Sequence, residues 1–278
     1  MRRGDAGRRL DASYHHPALR QNLQKLEKSP FNVATLGTLL SSQNGIRYGT
    51  GTPPPIVEPS NESVPFIRAT DIKDGEIIVS GLLHISAEQE KSMKKCLVSG
   101  NELIIVRSGV NTGDCAVVPR SLAGSYAAYD LILQFSNKVV PAFVSEFLNT
   151  QSGRAQLNVL KGRAAQPHLN AEEVSSVKIS LPPLNIQQTL VSDLEAAREV
   201  RKRKLTEAAA LFAGIDGFLL EQLRLEALEE DNRQVFAIRL KTCLNGRVDA
   251  LYYAPRFIKL TKALAASPFT NVALGEIS

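Results

Sequence analysis

Three cysteines and four histidines are the side chains of this 278-residue chain best suited to metal binding or nucleophilic attack. Their spacing supports neither. Cys96, Cys115 and Cys243 are odd in number and form no Cys-x-x-Cys pair, so neither a disulfide framework nor a thiolate zinc site is expected. His15, His16, His84 and His168 stand at no ligand spacing from a carboxylate or a cysteine. The chain holds no Asn-Pro-Pro-Tyr/Phe block for amino-methyl transfer and no G-x-x-x-x-G-K-[ST] phosphate loop. No Glu-x-Lys triplet is present to seat a Mg²⁺-dependent nuclease centre. Neither catalysis nor a cofactor or metal is expected.

Binding chemistry is better represented. The stretch from Phe147 to Ala171 contains Arg154, Lys161, Arg163 and His168 and no Asp or Glu. Cations without neighbouring carboxylates suit phosphates, because each neutralised phosphate releases a counterion. Gln166 and other amides in the same stretch could pair with base edges. Arg47 and Tyr48 lie in a glycine-rich loop, Asn44–Gly51, that could enter a groove. Arg68 and Lys73 flank Thr70-Asp71, and Arg107 ends a strand at the turn Ser108–Gly113, which carries Asn111. That turn reads as a plain hairpin loop or as an anion nest. Each of these groups also fits a solvated surface. The basic run Arg201–Lys204, within i,i+4 reach of Glu195, Glu199 and Glu207, reads as an ion-paired helix face.

The elements that must position these residues fall into two textures. From about Phe31 to Pro183, short β-rich runs alternate with turn residues: 65–68, 76–79, 102–107, 115–118 and 129–133. A helix is predicted over 141–160 and a last strand over 174–181, closed by Pro182-Pro183. From Asn185, a candidate N-cap, the pattern becomes one long helix to about Glu230. Its apolar residues, Leu190, Leu194, Leu205, Phe212, Ile215, Leu219 and Leu223, recur mostly at spacings of three and four. A rod of ~69 Å with one apolar stripe overhangs a domain of this size and calls for a partner helix. Gly214 and Gly217 inside it would mark close approach or a kink.

Charge is unevenly spread. The net +5 is concentrated in residues 1–30, with seven basic against three acidic residues, while 31–183 is balanced. A nucleic-acid partner is therefore compatible with the composition but must be met by local clustering. Met1-Arg2-Arg3-Gly4-Asp5 is followed by no apolar stretch, and no run reaches the ~18 apolar residues of a membrane span. A cytoplasmic protein without a membrane partner is expected.

The chain also repeats itself. Residues 9–37 align without a gap on 247–275, with eleven identities among twenty-nine positions at an offset of 238. They include Asp11/Asp249, Tyr14/Tyr252, Pro17/Pro255 and Ser29-Pro30-Phe31/Ser267-Pro268-Phe269. The organisation read from this is an N-terminal segment (1–30), a compact domain (31–183), a long helix (184–232), a linker (233–246) and the opening of a second repeat (247–278). The fold class is α+β, a compact β-rich domain followed by a long coiled-coil-like spacer helix.

These pieces resemble the specificity subunits of type I restriction–modification systems. Arg9-Leu-Asp-Ala-Ser-Tyr and Ala34-Thr-Leu-Gly open the repeat, and residues 65–77, from Pro65-Phe-Ile-Arg to Asp74-Gly-Glu-Ile, form a strand-and-turn block. Val98-Ser-Gly-Asn-Glu-Leu-Ile-Ile-Val-Arg-Ser-Gly is similar to the family's glycine-terminated strand. Gly162 to Asn170 and then Val177-Lys-Ile-Ser-Leu-Pro-Pro-Leu-Asn-Ile-Gln-Gln lead into the long helix, the last being the most specific match. The resemblance implies a non-catalytic subunit whose target recognition domain reads half of a split double-stranded DNA site. It implies modification subunits that methylate and a restriction subunit that translocates and cleaves. The chain departs from the family in carrying one recognition domain, for which pairing with a second copy through the long helix would compensate. The alternative is a scaffold of the same system whose helix recruits partners without selective DNA binding.

Overall fold

The computed structural model describes residues 17–41, 45–52, 54–87, 93–162, 167–225, 235–239, 241 and 249–276. Arg163 and Gln166 lie outside them, as do Asn44, Cys243 and the first residues of both repeats. The contacts divide the chain into two units that meet inside the long helix, after Ala196.

In the first unit, α1 (Pro17–Glu27) leads to β1 (Asn32–Thr35) and the single turn α2 (Leu36–Leu39). There follow β2 (Ile46–Tyr48), β3 (Ile56–Val57), β4 (Ser63–Ile67), β5 (Ile72–Lys73), β6 (Glu76–Ile77) and β7 (Leu83–Ser86). Then come β8 (Leu103–Ile105), β9 (Cys115–Val117), β10 (Tyr126–Ala127) and β11 (Leu131–Leu133). The helices α3 (Pro141–Asn149), α4 (Gln151–Leu160) and α5 (Ala171–Ser175) precede β12 (Lys178–Leu181) and the long helix α6 (Leu184–Gln222).

The central sheet has the order β2-β11-β8-β9 and is antiparallel throughout. Its core strands read Leu103-Ile104-Ile105 and Leu131-Ile132-Leu133, continuous apolar runs with no polar alternation. Such runs suit strands buried on both faces, since successive side chains point to opposite sides. Leu103, Ile105, Leu131 and Leu133 pack with Val144, Leu148, Leu157 and Ile179 from α3, α4 and β12. Ile104 and Ile132 face the other way, onto Ile67, Ile72, Val98 and Leu122. A second sheet, β10-β4-β7-β3, closes that side around Phe66, Ile85 and Tyr126. The α+β architecture with its trailing helix is the one the sequence predicts.

Several boundaries differ from expectation. The helix predicted over 141–160 is two helices, because Thr150 ends α3 and caps α4, its Oγ1 accepting from the Gly153 N–H at 3.3 Å. The strand predicted over 174–181 begins only at Lys178. Ahead of it, Asn170 and Glu173 form a capping box: Asn170 Oδ1 accepts from the Glu173 N–H at 2.8 Å and Glu173 Oε2 from the Asn170 N–H at 3.0 Å. Two donors satisfied in this way nucleate a turn of helix where β-branched Val174 suggested a strand. Helix α6 starts at Leu184, its first bond running from the Gln187 N–H to the Pro183 carbonyl, so Asn185 is not the N-cap but sits in the first turn.

The long helix also stops earlier than Glu230. Arg224 takes φ +51°, its N–H bonds to the Glu221 carbonyl, and the Leu225 N–H bonds to the Leu220 carbonyl. These are the two bonds of a Schellman motif, which usually places glycine at the left-handed position. An arginine there hides the stop signal from the sequence. Thirty-nine residues make a rod of ~58 Å.

The helix is anchored at its root by Gln187, which is fully buried: its Oε1 accepts from the Val140 N–H at 2.8 Å and its Nε2 donates to the Pro182 carbonyl at 2.7 Å. Farther along, Leu205, Phe212, Ile215 and Leu219 are exposed, and a side chain at Gly214 or Gly217 would meet nothing among the described residues. The stripe therefore carries no close approach among the described residues.

In the second unit, α7 (Pro255–Ala266) opens on the proline equivalent to the first residue of α1. A 3₁₀ turn at Leu274–Glu276 falls where α2 begins in the first copy. In the first copy Leu19 and Leu26 are buried, α1 packs on α4 and β12, and β1 pairs with β12. In the second copy the equivalent Phe257 and Leu264 are exposed, and the positions matching β1 form no strand.

Candidate nucleic-acid interface

The edge of the central sheet gathers one cluster from four separate segments. Across the sheet, Tyr48 pairs with Leu131 and Leu131 with Ile105. Continuing that antiparallel register by two residues brings Tyr129 opposite Arg107, on the same face as Tyr48. The Arg107 guanidinium carbon lies 4.3 Å from the Tyr129 ring centroid and 4.6 Å from that of Tyr48. Both distances are within the range of cation–π attraction. His168 enters from the loop before α5: Ser108 and His168 form an isolated bridge, and the Leu169 N–H donates to the Arg107 carbonyl at 2.8 Å. The Arg107 Nη2 donates to His168 Nε2 at 2.8 Å. A guanidinium cannot accept, so the imidazole carries its proton on Nδ1. Tyr48 is held in turn, its hydroxyl accepting from the Ala171 N–H at 3.1 Å.

Beneath the cluster, Asp130 is nearly enclosed and accepts the Arg107 backbone N–H. Burial pushes its carboxyl up to about 6, opposed by that hydrogen bond and by the Arg107 charge.

Arg107 leads into the turn between β8 and β9. The turn is a hairpin loop closed by three internal bonds, from the N–H groups of Thr112 to the Gly109 carbonyl, Gly113 to Val106 and Asp114 to Asn111. Gly109 and Gly113 take φ +93° and +96°, which lets the loop close on itself. Asn111 sits half-buried beside Val110, which is 98% exposed at the tip. The turn is braced from behind. Lys161 Nζ donates to the Thr112 carbonyl at 2.9 Å, and Arg154 Nη1 reaches Asp114 at 2.6 Å and Nη2 reaches Asn149 at 2.7 Å. Burial, then the Arg154 charge, lowers the Lys161 ammonium from its ordinary range.

The stretch without carboxylates is thus carboxylate-free in sequence only, because the fold brings Asp114 onto Arg154. Arg47 differs in the same sense. It lies on a paired strand, not a free loop, and its side chain points away from that of Tyr48, donating to the Leu97 carbonyl at 3.0 Å and to Glu102 at 3.4 Å. Arg68 grips Asp71 through two bonds of 3.1 and 2.8 Å, and this side-chain pairing raises its guanidinium above the usual value. Lys73 is exposed on the β5–β6 hairpin. The structure therefore brings Tyr48, Arg107 and His168 together at one end of the central sheet, with Asn111 on the adjoining turn and Lys161 behind it, while Arg47 and Arg68 hold Glu102 and Asp71.

Tyr129 and Asp130 were not among the sequence candidates. The signal for them is their place just ahead of the apolar triplet 131–133 in an antiparallel neighbour of β8. Among the described residues no three His, Cys, Asp or Glu gather to hold a metal ion, and no helix is long and apolar enough to cross a membrane. Burial pushes the Cys115 thiol up to about 12, so it is no nucleophile.

Comparison with known proteins identifies relatives of this chain. The model of the type I restriction modification DNA specificity domain matches residues 49–207. The type I restriction enzyme EcoBI specificity subunit of Escherichia coli is 23% identical over 184 residues, 63% of this chain and 36% of that protein. The crystal structure of the HsdS subunit from Thermoanaerobacter tengcongensis shares the fold at a TM-score of 0.51 and 17% identity, covering 74% of this chain and 52% of that one. The chain spans about half, or less, of the length of these relatives. With more than half of its residues matched by one family model, and with its β-rich domain running into a long helix as in the solved relative, the chain belongs to the type I restriction modification DNA specificity domain family.

Proposed function

We propose that residues 31–183 read one half of a split duplex DNA target and that the spacer segment 184–232, built on α6, separates this reader from a second one. The chain itself does no chemistry; separate modification and restriction subunits methylate and cleave, in the cytoplasm. The observation that carries the reading is the convergence of Tyr48, Arg107, Tyr129 and His168 on one sheet edge, beside an exposed and braced turn. Phosphate contacts position such a module, while planar cationic and aromatic groups meet bases. Family membership supports the same reading. The second reader is a second copy of this chain, joined through the exposed stripe of α6, which makes the target an interrupted palindrome.

The test is fluorescence anisotropy of the full chain, with and without a modification subunit, on a random duplex pool and on duplexes enriched from it. Salt-dependent, sequence-selective binding is expected. Partner binding without DNA selectivity would replace this reading with that of a scaffold.

A further inference from the structure

We propose that Arg107 reads a guanine of the target, donating from the open end of its guanidinium to O6 and N7 in the major groove. This rests on the DNA-reading role proposed above and names the base that one residue selects.

The described arginines singled out in the first unit are not equivalent. Arg47, Arg68 and Arg154 each hold a carboxylate, of Glu102, Asp71 and Asp114 respectively. The Arg107 guanidinium bonds instead to a neutral acceptor, the imidazole Nε2 of His168. No carboxylate bonds to this guanidinium: Asp130 feels its charge but bonds to the backbone N–H, which leaves the guanidinium donors to a ligand.

Its orientation is fixed as well. The backbone is pinned on both sides, the N–H on Asp130 and the carbonyl by Leu169. Two tyrosine rings pack the guanidinium, and His168 holds Nη2. Nε is enclosed without a partner, whereas Nη1 has no partner among the described residues and is not enclosed. The donors left over are the two of Nη1 and one of Nη2, all in the plane of the guanidinium. A phosphate can be met from many directions by a mobile cation and gains little from such restraint. Two coplanar acceptors can be met only by a fork held in their plane, and guanine is the base that presents O6 and N7 in this way. Restraint before binding also removes the ordering cost from the binding step.

The experiment is selection of duplexes from a random pool by the full chain, as wild type, Arg107→Ala and Arg107→Gln, each checked by thermal melting. The wild type is expected to enrich a motif with at least one guanine preferred about 10- to 100-fold. In both variants that preference falls to within about 3-fold while the rest of the motif persists. Replacing this guanine by 7-deazaguanine, which removes N7 and leaves the phosphates unchanged, is expected to weaken wild-type binding about 5-fold or more and the variants' binding not at all. The modified-base arm needs no variant to fold. A motif without guanine, or wild-type indifference to 7-deazaguanine at every guanine, overturns the proposal. So does a uniform loss of affinity in the variants with every base preference intact, which would place Arg107 on a phosphate. If the wild type enriches no motif, the DNA-reading role itself fails, an outcome distinct from these.

Discussion

Asp130 accepts the backbone N–H of Arg107 at 3.2 Å while its own residue is only 3% exposed. Burial raises the carboxyl that orders the strand end beneath the tyrosines from 3.8 to about 6, against the lowering pull of that hydrogen bond and of the Arg107 charge. A raised acid binds its proton more tightly in the folded chain, so its stabilising contribution is complete below pH ~4 and is lost as pH rises through ~6. A rise of this size corresponds to at most about 3 kcal/mol. Asp130→Asn keeps an acceptor for Arg107 and removes the titration. Urea unfolding at pH 5 and pH 7.5 is expected to show the variant gaining on the wild type at both, with the larger gain at the higher pH.

Gln187→Leu removes both bonds that fix the root of α6 and leaves the Val140 N–H and the Pro182 carbonyl enclosed without partners. The expected loss is about 2–4 kcal/mol in unfolding free energy, by denaturant titration. A loss below about 0.5 kcal/mol would mean that water replaces the amide.

Gly49 follows Tyr48 and donates its N–H to the Asp130 carbonyl at 2.9 Å. A Cβ there would collide with the Ala128 carbonyl oxygen, which is backbone and cannot swing away. Gly49→Ala is expected to lower the melting temperature by several degrees and to displace Tyr48 from Arg107, read as altered tyrosine near-ultraviolet circular dichroism. An unchanged spectrum and melting temperature would refute the close approach.

The cations behind the hairpin separate by their partners. Lys161→Gln is expected to reduce the slope of log affinity against log salt by about one, as loss of a single phosphate contact does. Arg154→Ala should chiefly destabilise the turn, because Asp114 and Asn149 already occupy its guanidinium. Equal slope changes in the two variants would contradict this division.

Pairing of two copies through α6 has its own test. Changing Leu205, Phe212 and Leu219 together to Asp is expected to abolish association in light scattering, with the first unit still melting cooperatively. Retention of the native assembly would show that the stripe is not the joint. An asymmetric methylated motif, made with this chain as the only specificity subunit, would reject the pairing of identical copies.

The sheet core and the long helix are legible in the sequence because their signals are local: apolar triplets, turn glycines and helical spacing. The repeat is legible too, since Pro17 and Pro255 both sit at the first helical position, where a missing N–H costs nothing. Side-chain direction is less so. Arg47 and Tyr48 look like one cationic–aromatic pair, yet neighbours on a strand face opposite ways, and only register decides which one meets Arg107. The Asp114–Arg154 contact joins residues forty apart and cancels a charge that composition counts as free. The stop at Arg224 is hidden because the left-handed position lacks its usual glycine. Gln187 belongs to a recognisable motif, but its burial follows from how α6 meets α3, which no spacing rule states.

The length of α6 turns a small angular error into a large linear one. From Gln187 to Gln222 the helix reaches ~53 Å, so a tilt of about 5° at the root swings the far end by roughly 5 Å. That exceeds the ~3.4 Å rise between successive base pairs. The two hydrogen bonds of one buried glutamine therefore act as the bearing of a lever, and under the spacer role proposed for α6 slack there would be read at the tip as a change of a whole step along a duplex.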